Sequence, residues 1–375
     1  MKIGLICPYS IAKGGGVQEI VYAMQAELTK RGHDAYIITP RPQDHNGEPR
    51  EKMIFVGGAA DFNSPLHTTI QVSASVSESI ERMLQDEQFD ILHFHEPWVP
   101  MLSMQILSRS TAVNIATFHA KLPETMMSRT MAKVVTPYTK PILKYIDALT
   151  APSDAAAEYV CSLTDQPVAI IPNGIDSRFK PPKTFHDSRR KKTILYVGRL
   201  EGRKGVNHLL HAFQHINKSC PDVSLVIAGD GSDRDKLEML ADDLELQNVE
   251  FRGYITDTEK IKLLQGSDLF CAPALYGESF GIVLIEAMAC GLVTVAGDNA
   301  GYESVMKGLG VLSLVNPKHH AELARRLEVL LYQPELRQLW RNWARNEVPQ
   351  YGYKRIVDQY LEVYEQALAD KYGDG

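Results

Sequence analysis

The sequence predicts an α/β protein made of two Rossmann-like domains. Short apolar runs alternate with helix-length segments in both halves of the chain. The runs are continuously apolar rather than alternating, and a polar, proline-containing stretch separates the halves. Continuous apolar strands fit sheets covered on both faces. Strand–helix alternation implies parallel, right-handed βαβ units. The 375 residues are too many for one typical core and suit two domains of about 150 to 190 residues.

In the first half the strands read "KIGLICP", "DAYIITP", "DILHFHE", "VNIATFH", "DALTAPS" and "VAIIPNG". In the second they read "TILYVGRL", "SLVIAGDG", "VEFRGYI", "DLFCAPA" and "LVTVAGD". The opening "MKIGLICPYS" is apolar only briefly and has no small-residue cleavage site, so it reads as a first strand rather than a signal sequence. The linker is "DSRFKPPKTFHDSRRKK", 176–192. The expected domains are 1–180 and 181–352. Residues 353–371 form a last amphipathic helix with Ile356, Tyr360, Val363, Tyr364 and Leu368 on one face. Trp340 and Trp343, three apart, pack one helix face.

With 44% apolar and 23% charged residues the chain is expected to be ordered. A net charge of −6 gives no global attraction for nucleic acid. Cys7, Cys161, Cys220, Cys271 and Cys290 form no C-x-x-C and no cluster with histidine, which points to free thiols in a reducing compartment. The longest apolar run, 281–297, is broken by Glu286, so no membrane span is expected.

Ligands of open parallel sheets bind beyond the carboxyl ends of the strands, so two such domains facing each other would form a deep cleft. Gly14, Gly15 and Gly16 follow strand one and precede a helix. They make either a flexible turn or a place where backbone N–H groups approach an anion. Strand two ends "ITPRP" without a ribose-binding acid, and the loop is not G-x-G-x-x-G, so a nicotinamide site is excluded. In "ILYVGRLEGRKG", Arg199 and Lys204 lie around a turn with Gly198, Gly202 and Gly205. That is either a solvated turn or a diphosphate site; Arg203 reads as facing solvent.

Glu278 and Glu286 lie in "YGESFGIVLIEAMACG". Eight helical residues rise about 12 Å, more than the roughly 5 to 9.5 Å of a glycosidase pair, so two separate tasks are expected. With the helix starting near Ser279–Gly281, Glu286 falls two turns in. Glu278 either caps that helix or stands at the mouth of the site. Glu286 is either a partly buried, salt-bridged acid or the acceptor of a sugar diol.

The spacing of these two acids matches the E-x7-E pattern of retaining glycosyltransferases of family 4, which have the GT-B fold. "GGGV", "HFHEP", "ATFHA", "IPNGID" and "GRLEGRKG" agree, and the resemblance covers nearly the whole chain. It implies an N-terminal acceptor domain, a C-terminal nucleotide-sugar donor domain, and a C-terminal helix (353–375) crossing back to the first. It implies that Arg199 and Lys204 hold the diphosphate, Glu278 a sugar hydroxyl and Glu286 the ribose. Ser279, Phe280, Gly281 and Ile282 would line the donor, and Gly16 would meet the donor phosphate. His119 would lie beside the transferred sugar, with Tyr9, Gly15, Gly16 and Gln18 on the acceptor side. The resemblance also implies transfer with retention of configuration. No Asp-x-Asp stands in the loop where the diphosphate would sit, so no metal ligand is named. The donor needs no resident cofactor, and Mg²⁺ is compatible but not required.

Within the family the chain most resembles the phosphatidylinositol α-mannosyltransferases, through "CPYS", "LHFHEP", "ATFH", "TPYTK" and "CAPALYGESFGIVLIEAMACG". This implies GDP-mannose as donor and a lipid-linked acceptor at the inner membrane face. Two departures stand out. The helix before "HFHEP" reads "VSESIERMLQDEQ", with one arginine and several acids, where those enzymes have a strongly basic helix. Trp98 brings bulk where a small polar residue is expected. A basic face at 121–144 (Lys121, Arg129, Lys133, Lys140, Lys144, with Met126, Met127, Met131 and Val134 between) is either a membrane contact or a solvated face. The rivals are a UDP-sugar transferase acting on another lipid or glycan and a non-catalytic nucleotide-sugar-binding module. An epimerase would need an acid–base pair that is not seen.

Overall fold

The computed structural model describes residues 1–10, 15–42, 51–63, 69–74, 77–99, 102–121, 135–185 and 191–373. The chain divides into two compact units, Met1–Gly174 with Tyr353–Gly375, and Ile175–Gly352.

The first unit is an 8-stranded sheet in the order β4-β3-β2-β1-β5-β6-β7-β8. Its elements are β1 (Lys2–Ile6), α1 (Gly16–Lys30), β2 (Asp34–Arg41), β3 (Met53–Asn63), β4 (Thr69–Ala74), α2 (Ser77–Glu87), β5 (Ile91–His95), α3 (Leu102–Leu107) and β6 (Val113–Thr117). A helix over 135–142 (α4), β7 (Ala148–Ala151), α5 (Asp154–Cys161) and β8 (Val168–Ile170) follow. Every pairing is parallel except β3 with β4. The central strands β5 and β6 are buried along their whole length, as strands covered on both faces are, and Ile3, Leu5, Ile6, Ile91 and Leu92 are fully buried. The sequence reading named neither β3 nor β4. "TIQVSA" is the edge strand and alternates instead of running apolar, while "MIFVGGAADFN" opens on the apolar run Met53–Val56 and pairs parallel with β2 and antiparallel with β4.

The second unit is a 6-stranded parallel sheet in the order β11-β10-β9-β12-β13-β14. Its elements are β9 (Lys192–Val197), α6 (Val206–Ser219), β10 (Val223–Ala228), α7 (Arg234–Asp243), β11 (Val249–Gly253), α8 (Asp257–Gly266), β12 (Leu269–Ala272) and α9 (Ile282–Ala289). They continue with β13 (Thr294–Gly297), α10 (Ala300–Glu303), β14 (Leu314–Val315), α11 (His320–Tyr332) and α12 (Pro334–Glu347). Trp340 and Trp343 on α12 are buried edge-to-face, 5.4 Å between ring centres, and the Trp340 indole N–H donates to Ser313 Oγ at 2.8 Å. All five cysteines are free, and Cys7, Cys271 and Cys290 are buried.

The last helix, α13 (Tyr353–Tyr372), belongs to the first unit and buries Ile356, Val357, Tyr360, Tyr364 and Ala367. Arg31, at the C-terminal cap of α1, pairs with Asp358 at 2.5 Å, and Lys371 donates to Asp147 at 2.9 Å. Deep inside, the Tyr364 hydroxyl shares a 2.6 Å hydrogen bond with His93 Nδ1, and His93 Nε2 shares one of 2.6 Å with Thr117 Oγ1. Burial pushes the His93 imidazole down to about 3, so it serves as a neutral hydrogen-bonding link. Tyr364→Phe removes one partner and leaves a buried ring nitrogen unsatisfied. It should cost about 1–3 kcal/mol, read as a lowered urea midpoint with an unchanged slope.

Candidate active site

In each sheet the strand order reverses beside one strand. β1 lies between β2 and β5, and β9 lies between β10 and β12. Loops leaving such neighbours run to opposite faces and open a crevice at the strand ends. Most of the residues singled out in the sequence lie on the loops that follow these strands.

In the second unit the loops after β9 and β12 are joined. Leu275 N–H donates to Arg203 O at 2.8 Å, and Gly205 has φ 70°. A Cβ at Gly205 would stand 2.0 Å from the Pro273 carbonyl oxygen, so only glycine allows this approach. The join brings Lys204 Nζ to 2.7 Å and Arg203 Nη1 to 3.1 Å from the same oxygen of Glu278. Arg203 was expected to face solvent. Instead it bridges two acids, with its Nε 3.0 Å from Glu201. Arg199 lies outermost, its side chain 53% exposed, and pairs with Glu201 at 3.2 Å. Burial raises the Glu201 carboxyl, but Arg203 and Arg199 outweigh that and hold it below its ordinary value. The Tyr196 hydroxyl donates to the Arg199 carbonyl at 2.7 Å and fixes the loop from below.

Glu278 is the last acid before α9, which starts at Ile282 and has no side-chain cap. Gly281, at φ 110°, forms the turn, and a Cβ there would strike the Tyr302 ring at 2.7 Å. Phe280 is buried edge-on to Tyr351. Because the helix begins at Ile282, Glu286 lies little more than one turn in, not two. The residue is 4% exposed, and its carboxylate accepts from Lys260 Nζ of α8 at 2.7 Å. Lys260 also lies over the Phe179 ring at 5.2 Å. The sequence reading missed Lys260 and the role of Arg203, because their acidic partners are 26 and 75 residues away.

In the first unit, Gly15 and Gly16 open α1, which has no side-chain cap. Gln18 Nε2 donates to Ser10 O at 3.3 Å. Tyr9 follows β1, and burial together with the Glu96 charge pushes its phenol well above the ordinary value. His119 follows β6, is 6% exposed, and shares a 2.8 Å hydrogen bond between its Nε2 and His95 Nδ1. Burial pushes His119 down to about 4; Asn173 acts the other way without forming a hydrogen bond to Nδ1. Ser10 Oγ, His95 Nε2 and His119 Nδ1 are buried without a protein partner. Gly14 and most of the basic face at 121–144 lie outside the described residues. The α2 helix carries one base, Arg82, beside Glu78, Glu81, Asp86 and Glu87. Among the described residues no group of three or more histidines, cysteines, aspartates or glutamates gathers as a metal site, and no helix is long and apolar enough to cross a membrane.

Comparison with known proteins fits this arrangement. The family model of glycosyltransferase family 4 matches residues 14–179, and that of glycosyl transferases group 1 matches 178–347. The phosphatidyl-myo-inositol mannosyltransferase of Mycobacterium leprae is 33% identical over 370 residues, 97% of this chain and 96% of the relative. The chain belongs to glycosyltransferase family 4. This family 4 transferase is also 31% identical to the Mycolicibacterium smegmatis protein of the same name, over 97% of this chain and 94% of that one. Its GT-B fold is that of sucrose-phosphate synthase from Thermosynechococcus elongatus, at a TM-score of 0.79 and 20% identity, over 98% of this chain and 99% of that one. The transferase is an enzyme of the hexosyltransferase type.

Two tests follow from the geometry. Gly205→Ala should destabilise the second unit by about 2 kcal/mol or more, seen as a lower melting temperature. The buried histidines should make the first unit acid-sensitive. Folded His93, His95 and His119 titrate below 6.5. The unfolded chain therefore takes up protons that the folded unit does not, and stability that is complete above pH 6.5 falls as pH drops toward 4. His119 alone should account for a loss on the order of 2 kcal/mol by pH 4.5. Melting curves between pH 7.5 and 4.5 should show a shallower fall in His119→Asn.

Proposed function

We propose that this family 4 transferase moves a mannosyl group from GDP-mannose to an inositol phospholipid, with retention at the anomeric carbon. The observation that carries the substrate class is end-to-end similarity to the mycobacterial phosphatidyl-myo-inositol mannosyltransferases. On this reading Ile175–Gly352 is the donor unit, and Met1–Gly174 with Tyr353–Gly375 is the acceptor unit. The protein works at the cytoplasmic membrane face as a peripheral enzyme.

The residue roles follow from the chemistry. Lys204 offers three donors and can serve Glu278 and a phosphate oxygen together. Arg199, outermost and paired with Glu201, has reach for the other phosphate. Glu278, fixed by Lys204 and Arg203, accepts from a hydroxyl of the sugar. Glu286, fixed by Lys260, accepts from the ribose diol. Ser279, Phe280, Gly281 and Ile282 present the turn into α9 to the donor, whose negative charge suits an uncapped helix start. His119 lies beside the sugar; Tyr9, Gly15, Gly16 and Gln18 receive the acceptor. The acceptor oxygen bonds the anomeric carbon as its bond to the phosphate oxygen breaks. The acceptor proton leaves on that phosphate, and Lys204 and Arg199 stabilise the growing charge.

A thermal-shift titration with GDP, UDP, GDP-mannose and UDP-glucose tests the donor, since a ligand that binds the folded state raises melting by mass action. Guanosine ligands should stabilise selectively; stabilisation by uridine ligands alone would overturn the donor assignment. In transfer assays with phosphatidylinositol vesicles, Glu278→Ala should lower kcat about 100-fold or more, and Glu286→Ala should mainly weaken nucleotide binding, about tenfold. Full activity in both would refute the roles given to the two acids.

A further inference from the structure

His95 and Glu96, consecutive residues at the end of β5, grip His119 from two sides. The His95 ring holds the His119 ring at 2.8 Å. The backbone N–H groups of Ala120 and His119 lie beside the Glu96 carboxyl and favour its charged form, and the indole N–H of Trp98 donates to it. The Glu96 backbone is tied as well: its N–H donates to Thr117 O at 2.9 Å, and its carbonyl accepts from Val99 N at 3.1 Å.

This arrangement is costly. Glu96 is 1% exposed, and burial pushes its carboxyl up to about 8 against these three N–H groups. Its φ of 53° lies in the left-handed region, which a glutamate enters only under constraint. An apolar residue would fill the space at less cost. Buried acids and strained backbone that persist together collect where a geometry has to be held. The geometry held here is the loop carrying His119, whose Nδ1 edge is buried without a protein partner. The bulk of Trp98, a departure from the family pattern, has a task in this setting. Its indole donates to the carboxyl.

We infer that Glu96, completed by Trp98, is a positioning residue that fixes His119 for its contact with the transferred sugar. The inference rests on the reading that His119 lies beside that sugar, and its test separates the two. The first arm needs no substrate. Hydrogen exchange is followed by mass spectrometry in the peptide spanning 117–121 of wild type, Glu96→Ala, Glu96→Gln and Trp98→Phe. Glu96→Ala should raise exchange about tenfold or more. Trp98→Phe should raise it less. Glu96→Gln, which keeps one acceptor oxygen, should stay near wild type. Unchanged exchange in Glu96→Ala overturns the proposal. If that variant does not fold, Trp98→Phe decides.

The second arm is a double-mutant cycle on turnover, using whichever sugar nucleotide stabilises the protein. In wild type, Glu96→Ala should lower kcat about 10- to 100-fold with donor KM within about twofold. In a His119→Ala background the same change should cost less than about twofold. Equal losses in both backgrounds would mean that Glu96 does not act through His119, and the proposal fails. If His119→Ala itself keeps full activity while exchange responds as expected, the assignment of His119 to the sugar fails and Glu96 remains the anchor of its loop.

Discussion

The chemistry of this molecule depends on the reversal of strand order beside β1 and beside β9. Parallel strands whose crossovers leave toward opposite faces cannot cover their own carboxyl ends. The second unit leaves the loops after β9 and β12 to meet across that gap, and they meet backbone to backbone. The Gly205–Pro273 approach and the Leu275–Arg203 hydrogen bond set where Lys204 and Arg203 point. Glu278 is then the shared counter-charge. The basic loop is therefore built around two carboxylates, Glu278 and Glu201, rather than spread as a solvated turn.

The two glutamates illustrate different uses of burial. Glu278 keeps an 11% exposed side chain and two cations on one oxygen. Glu286 is more deeply enclosed and has a lysine of its own. A carboxylate held this way loses little freedom when a ligand hydroxyl arrives, since its orientation is already fixed. His119 follows a related logic with an uncharged group. Burial keeps it neutral well into the acid range, so the ring can take part as a hydrogen-bonding dipole instead of a charge.

Much of this was legible in the sequence, because covered parallel strands are apolar without interruption. The runs around Ile3, Ile91, Ile194 and Leu269 announce themselves; the second unit begins at Ile175, just ahead of the polar stretch at 176–192, which lies within it. β4 escaped because an edge strand needs only one apolar face, so its residues alternate; β3 opens on Met53–Val56, an apolar run of the same kind as those read as strands. The candidate residues were legible as types at strand ends: two basic residues with glycines, two acids at fixed spacing, a histidine after a strand. Their partners were not. Nothing in "GRLEGRKG" distinguishes Arg203 from Arg199 until φ at Gly205 turns one inward and leaves the other outside. Lys260 and Glu286 are far apart in the chain, on separate helices, and only tertiary packing pairs them. Glu96 looked like part of a motif, and its carboxyl acquired meaning only through backbone N–H groups of another loop.

The membership of α13 in the first unit bears on how the protein comes off the ribosome. His93 and Tyr364 share a buried hydrogen bond although 271 residues separate them. Between those positions lies the whole of Ile175–Gly352, a continuous stretch with its own sheet and core. That stretch has all its parts as soon as it is synthesised. The first-made strands do not: their sheet is open over His93 and Thr117 until Tyr360 and Tyr364 emerge. Synthesis order is thus the reverse of completion order, and during translation the nascent first unit exposes the polar and apolar surface that the last helix will cover.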